Sequence, residues 1–297
     1  QGTSRARIGT AIALAFVRSP MITALEALDL DELSGGRFVL GLGSGVQRLN
    51  ELWHNVSFGK PVPHLRETVR NIRHFWQTCT SGAEIALDGD YEPMHIRGYQ
   101  RPFPVRRVDI PIYLAAMGPQ MTRLAGAIGD GWISHELCSP TYLAERVLPE
   151  LAAGIARTPG KTRSAVDVVV SACCSIDDDP RVARRRVAGL VGFYASVRTY
   201  ADFFDFHGLA QEQQRVIEAF RSGRGADHLA DTVSDAMVDA LTMTGDRDRV
   251  VERIKAYRGL ADSVKLSPPT HGLSAEDTRL AQDQIIAMIA DVKEDLA

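Results

Sequence analysis

Short apolar runs alternate with runs of helical period along almost the whole chain, and this alternation limits the fold more than any other feature. Residues 7–15 (RIGTAIALA) are apolar and short, so they read as a buried strand. Residues 18–33 carry apolar side chains at helical spacing, with Pro20 near the start and Gly35-Gly36 past the end. Residues 37–42 (RFVLGL) form a second strand, and 63–79 a helix with Leu65, Val69, Ile72, Phe75 and Trp76 on one face. Further strands are expected at 110–115, 131–134, 165–176 and 263–266, and further helices at 118–128, 142–156, 180–194, 247–260 and 275–290. Strands that alternate with helices pair in parallel, because each helix carries the chain back to the same end of the sheet. The pattern yields about six core strands. Two architectures fit: an open doubly wound sheet, or a (β/α)8 barrel without its first two β/α units.

Two stretches break the alternation. Residues 83–108 are rich in Tyr, Pro, Gly and Arg, with 91–96 expected as one strand of a hairpin and the chain around Pro102 and Pro104 as extended surface. Residues 199–239 read as a helical insertion with breaks at Gly208 and at Gly223-Arg224-Gly225. Neither resembles a linker, and a single domain over 1–297 is expected. At 297 residues, 45% hydrophobic and 24% charged, the chain can bury a core without disulfides or metals. A net charge of −3 gives no footprint for nucleic acid. The densest basic run, Arg181 with Arg184, Arg185 and Arg186, follows Asp177-Asp178-Asp179-Pro180 and reads as a solvated helix face with acids at its N-terminus. No stretch reaches the roughly 18 apolar residues of a membrane span, and no signal peptide is recognisable. Cys79, Cys138, Cys173 and Cys174 lack metal spacing and read as buried thiols, which fits a reducing, cytoplasmic setting.

Chemistry is expected at two strand ends. In Phe38-Val39-Leu40-Gly41-Leu42-Gly43-Ser44-Gly45, three glycines strip side chains from the carboxyl end of a strand. That either lets a flat ring or phosphate approach the backbone or serves close packing alone. The spacing is wrong for a dinucleotide fingerprint, which needs G-x-G-x-x-G opening a helix. In Ala115-Ala116-Met117-Gly118-Pro119 a strand gives way to a helix whose free N–H groups suit an anion. His135 follows a strand and could be a base or a structural hydrogen-bonder. His54, His64 and His74 have no carboxylate at metal spacing, so no metal is expected.

Taken in order, these runs resemble the luciferase-like flavin superfamily, and more closely its coenzyme F420-dependent, methylenetetrahydromethanopterin reductase-like branch. The resemblance is carried by Gly9-Thr10-Ala11-Ile12, Arg18-Ser19-Pro20, Ser34-Gly35-Gly36-Arg37, Leu40-Gly41-Leu42-Gly43-Ser44-Gly45, Ala115-Ala116-Met117-Gly118-Pro119 and Gly129-Asp130-Gly131-Trp132. It implies a (β/α)8 TIM barrel of bacterial luciferase type with its cofactor at the carboxyl ends of the strands. It further implies a non-prolyl cis peptide at Ala11–Ile12. The implied cofactor contacts are Ala11, Ile12, Ala13, Gly43, Gly45, Asn50, Ala115, Met117, Gly118 and Pro119.

In the branch's sugar-phosphate dehydrogenases a G-x-G-E-x-L-N run supplies a carboxylic acid. Here Gln47 or Val46 falls at that place, and a neutral amide is no general acid. Gln47 and the neighbouring Glu51 are the candidate catalytic residues. Counted in the family's order the first strand here is the third, so either about 50 residues precede it or the protein is shortened. The implied activity is hydride transfer between F420 and a small organic substrate. The alternatives are an FMN-dependent monooxygenase using oxygen, and a shortened flavin-binding protein without turnover. A homodimer is implied by analogy, and residues 91–108 and 199–239 would shape the substrate pocket.

Overall fold

The computed structural model describes residues 3–225 and 228–292. The chain divides into two compact units: the residues up to Ile133 with Val147–Val168, and Ser134–Arg146 with the residues from Val169 on. In chain order the first elements are β1 (Ile8–Gly9), β2 (Ala13–Leu14), α1 (Pro20–Ser34), β3 (Phe38–Gly43), α2 (Gln47–Trp53) and α3 (Pro61–Thr78). Then come β4 (Ile85–Leu87), β5 (Met94–Ile96), β6 (Ile112–Ala115), α4 (Pro119–Ile128), β7 (Gly131–Ile133), α5 (Pro140–Tyr142) and α6 (Leu148–Ile155). The remainder is β8 (Asp167–Ile176), α7 (Pro180–Ala195), α8 (Ala201–Phe206), α9 (Ala210–Arg221), α10 (Asp235–Leu241), β9 (Met243–Gly245), α11 (Arg247–Lys255), β10 (Ser263–Ser267) and α12 (Ala275–Asp291). The result is an α/β fold on parallel strands.

In the first unit β3 is buried at all six residues, as a strand covered on both faces must be. It pairs in parallel with β1 and β2 on one side and β6 on the other, and β6 pairs with β7. The turn from α1 into β3 follows from Ser34-Gly35-Gly36-Arg37. Gly35 and Gly36 take φ of 70° and 82°, a region costly for residues with a Cβ. Their N–H groups close the helix on Glu32 and Asp31 carbonyls. Buried Asp31 accepts from the Phe38 N–H and from two nitrogens of Arg107, which fixes the entry of the strand. Trp76 of α3 donates to the Ala24 carbonyl of α1 at 2.9 Å.

In the second unit β8 pairs in parallel with β9 and β10. Phe203, Phe204, Val216, Leu229 and Met237 form the core of the helical stretch expected at 199–239. All four cysteines are free and buried.

Four details differ from the sequence reading. Residues 7–15 are two short strands, because the Thr10 hydroxyl replaces the backbone ladder: it donates to the Gly41 carbonyl at 2.8 Å and accepts from the Gly41 N–H at 2.9 Å. The helix expected at 142–156 passes through a π turn at Leu143–Val147, ahead of Pro149, which has no N–H to continue the α ladder. Residues 243–245, where no strand was expected, pair in parallel with β8, and Asp246 caps α11 by accepting from the Arg249 N–H. Arg186 is not on a solvated face: it is buried and ion-paired with Asp177 at 3.0 Å. The hairpin in residues 83–108 is present as β4 and β5, paired antiparallel.

Candidate functional site

The glycines at the end of β3 and just past it meet the broken strand beside them, one residue against one. A Cβ on Gly41 would lie 2.0 Å from the Thr10 carbonyl oxygen, one on Gly43 2.9 Å from Ile12 Cδ1, and one on Gly45 2.6 Å from Leu14 Cδ2. Close packing therefore explains these glycines, since the space they leave is filled by Thr10, Ile12 and Leu14. The Ala11–Ile12 peptide is cis, as the family resemblance implied.

After Gly45, which turns the chain with φ of 63°, α2 starts without a side-chain cap. Asn50 on its inner side is fully buried. Its Nδ2 donates to the Ser44 carbonyl at 2.9 Å and to the Val46 carbonyl at 3.0 Å, which uses both amide hydrogens and fixes the orientation of the group. Its Oδ1 is buried and receives no hydrogen bond. Gln47 and Glu51 of the same helix are exposed, and Gln47 Nε2 donates to Glu51 Oε1 at 2.9 Å. The structure thus sets Gly43 against Ile12 and Ala115, and Gly45 against Leu14 and Asn50, and leaves Gln47 and Glu51 bonded to each other at the surface.

The second strand end behaves differently. A Cβ on Gly118 would meet nothing within 4 Å. Gly118 is the N-cap of α4, Pro119 follows in the first turn, and no side chain caps the helix. The turn is pinned from behind by Trp132, whose indole N–H donates to the Ala116 carbonyl at 3.0 Å. Ala115 ends β6 next to Gly43, and Met117 is half-buried.

Sequence reasoning passed over His64. Its ring stacks on Phe16 at 3.7 Å and 2°, and on Tyr91 at 4.9 Å. Both ring nitrogens face acceptors, the Phe58 carbonyl at 3.0 Å and Glu92 Oε1 at 2.9 Å, so only the doubly protonated ring satisfies both. Burial opposes the charge, but the Glu92 hydrogen bond, the Phe58 carbonyl and the Glu92 and Glu67 charges together raise the pKa. The only signal in the sequence was an aromatic residue at each end of a long separation, which no local pattern pairs.

The second unit holds a different histidine. His135 Nδ1 accepts from the Leu137 N–H, so in the neutral ring Nε2 carries the proton, and that nitrogen is buried without a partner. Tyr194 and Tyr200 pack on the ring at 4.2 and 4.8 Å. Burial lowers its pKa to about 3, so near neutral pH it is a hydrogen-bond donor and not a base. Burial, with Glu136 nearby, raises the Tyr194 phenol far above its ordinary range.

The profile of the luciferase-like monooxygenase family matches residues 1–263. The chain belongs to that family. It is 31% identical over 277 residues to a 5,10-methylenetetrahydromethanopterin reductase of Archaeoglobus fulgidus, covering 90% of this chain and 78% of the relative. In structure it is similar to the coenzyme F420-dependent tetrahydromethanopterin reductase of Methanopyrus kandleri, with a TM-score of 0.78 and 24% identity over 96% of this chain and 84% of the other. It is also similar to the oxygenating constituent of 3,6-diketocamphane monooxygenase of Pseudomonas putida, solved with FMN, with a TM-score of 0.64 and 16% identity over 96% and 78% of the two chains. The family places the chain among luciferase-like oxidoreductases, and among the described residues no helix is long and apolar enough to cross a membrane.

Proposed function

We propose that the protein is an oxidoreductase that moves hydride between coenzyme F420 and a small organic substrate, on a (β/α)8 barrel of luciferase type. The observation that carries this reading is the Asn50 amide: locked by two backbone carbonyls, it keeps a buried acceptor, Oδ1, without a protein donor. A buried acceptor of that kind costs about 1–3 kcal/mol unless something donates to it, and the N–H and hydroxyl groups of a deazaflavin or flavin are suitable donors. The open, uncapped start of α4 at Gly118 and Pro119 supports the same reading, because helix N-termini favour phosphate. Asn50, Gly43 and Gly45 would hold the ring side with Ala11, Ile12 and Ala13, and Ala115, Met117, Gly118 and Pro119 the phosphate side.

Bound F420 would supply a carbon-centred hydride donor or acceptor. The chain's own part is to fix the Asn50 acceptor, to aim the α4 N–H groups, and to hold both turns rigid through the Thr10 and Trp132 hydrogen bonds. Gln47 and Glu51 act in this reading as a surface pair and not as proton carriers.

Reduced FMN with oxygen is the second reading, favoured by the likeness to the FMN-containing monooxygenase. Titration separates the two. F420 should saturate the protein at micromolar concentration, followed by fluorescence quenching, with FMN much weaker; saturation by FMN with no F420 binding would overturn the first reading.

A further inference from the structure

Most carboxylates that follow a strand end are spent on the fold or left in solvent. Glu51, after β3, is held by Gln47. Past β8, Asp177 pairs with Arg186, Asp179 caps α7 and Asp178 is exposed. Past β9, Asp246 caps α11 and Asp248 is exposed. Among the described residues that leaves Glu136, just beyond the end of β7. Its backbone is held on both sides. The Cys173 N–H of β8 donates to the Glu136 carbonyl at 2.9 Å, and Leu137 bridges to Ala172 while its N–H donates to His135 Nδ1 at 3.3 Å.

The Glu136 side chain is half-buried and much less constrained. Lys265 of β10 stands 3.8 Å from its Oε1, an ion-pair distance too long for a hydrogen bond. Tyr194 of α7 and Tyr200, in the turn Arg198–Tyr200 ahead of α8, face it as well. Burial first, then the Glu136 charge, raises both phenols above their ordinary range, so near neutral pH they remain donors. The Cys173 thiol also feels this charge, and burial keeps it protonated. All these groups belong to the second unit. Glu136 is thus a firmly placed acceptor, partly open to solvent, among side chains that only donate.

Taking hydride from a carbon that bears O–H or N–H also requires a base for that proton. Resting on the hydride-transfer reading, we infer that Glu136 carries this proton for a substrate that is a small alcohol or amine. The C–H bond breaks and its electron pair leaves as hydride, so the substrate is oxidised and the hydride acceptor reduced. The O–H or N–H bond breaks, its electron pair completes the C=O or C=N bond, and its proton forms an O–H bond on Glu136. Glu136 then releases the proton to water, which returns one to the reduced acceptor. In the reverse direction Glu136 gives the proton back, and the Lys265 charge steadies the carboxylate left behind.

The test uses the full chain, reduced F420, two carbonyl probes (acetone and benzaldehyde) and the N-methylpyrrolinium cation, which takes hydride without a proton. In Glu136→Gln, kcat for the carbonyl probes should fall about 100-fold, while pyrrolinium turnover and F420 affinity stay within about twofold. The melting temperature should not change, and Glu136→Asp, which keeps the carboxyl group, should recover part of the carbonyl rate. Without any cofactor, the alkaline absorbance titration of the tyrosines should move to lower pH in Glu136→Gln, because the charge that raises Tyr194 and Tyr200 is gone. Unchanged carbonyl turnover in Glu136→Gln would overturn the inference. An equal loss with pyrrolinium would do so too, by making Glu136 structural, as would an unmoved tyrosine titration. If F420 binds but no probe oxidises its reduced form, the inference falls and the cofactor assignment stands. If F420 does not bind the parent, the hydride reading falls and the proton role with it.

Discussion

The two strand ends of the first unit look alike in sequence and differ in what their glycines are for. At the end of β3, Gly41, Gly43 and Gly45 are small because Thr10, Ile12 and Leu14 occupy the space beside them. At the end of β6, Gly118 is small beside nothing at all. A glycine of the first kind belongs to the fold, and its loss is a packing event. A glycine of the second kind is dispensable to the fold, and its loss can be felt only by something that comes to the turn. The closed turn also carries a buried amide acceptor without a donor, Asn50 Oδ1, whereas the open turn offers helix N–H groups.

The sharpest way to break this contrast is to add one carbon to each end. Gly41→Ala puts a Cβ against backbone that cannot yield, and should cost about 3 kcal/mol or more, seen as a large fall in melting temperature or as insoluble protein. Asn50→Ala should lose about 2 kcal/mol by releasing two buried carbonyls, and should weaken F420 binding at least tenfold by fluorescence titration. Loss of stability with unchanged affinity would make Asn50 purely structural.

His64 tests how firmly the closed side is clamped, since it holds Phe16, just past β2, against Tyr91. Its folded pKa is raised, so the folded state binds the proton more tightly than the unfolded chain. The stabilisation is complete below the ordinary histidine value of about 6.5 and is lost as pH rises through the higher folded value. Melting temperature should therefore fall as pH rises above the ordinary histidine value, and His64→Gln should abolish that slope while costing roughly 1–2 kcal/mol at pH 6.

Gly118→Val should leave stability within about 0.5 kcal/mol, because its φ of −79° suits any residue and its Cβ meets open space. Affinity for F420 should nevertheless drop about tenfold; unchanged affinity would remove this turn from the site. Smallest of all, Glu51→Gln should leave both melting temperature and turnover within about twofold of the parent, as expected for an exposed pair. A collapse of turnover would restore Glu51 as a proton carrier.

Much of the architecture was legible because it is written locally. The positions of β3, β6, β8 and the helices between them follow from apolar period and from caps such as Ser19, Asp179 and Ser274. The Ser34-Gly35-Gly36-Arg37 turn was legible for the same reason, as its two glycines sit at the positive φ that their type allows. What could not be read was anything requiring a partner far along the chain. Gly41 needs Thr10, 31 residues away, and His64 needs Glu92, 28 residues away. Arg186 looked like part of a solvated basic run, and only the packing of α7 shows that it is buried on Asp177.

The sequence by itself determined that strands and helices alternate, that the strands run parallel, and that two strand ends are stripped of side chains. Period, caps and φ preference are properties of neighbouring residues, so they survive without the fold. The tertiary structure alone decided which stripped end is filled and which is open. Whether a missing Cβ leaves room or merely admits a neighbour depends on atoms brought in from elsewhere in the chain.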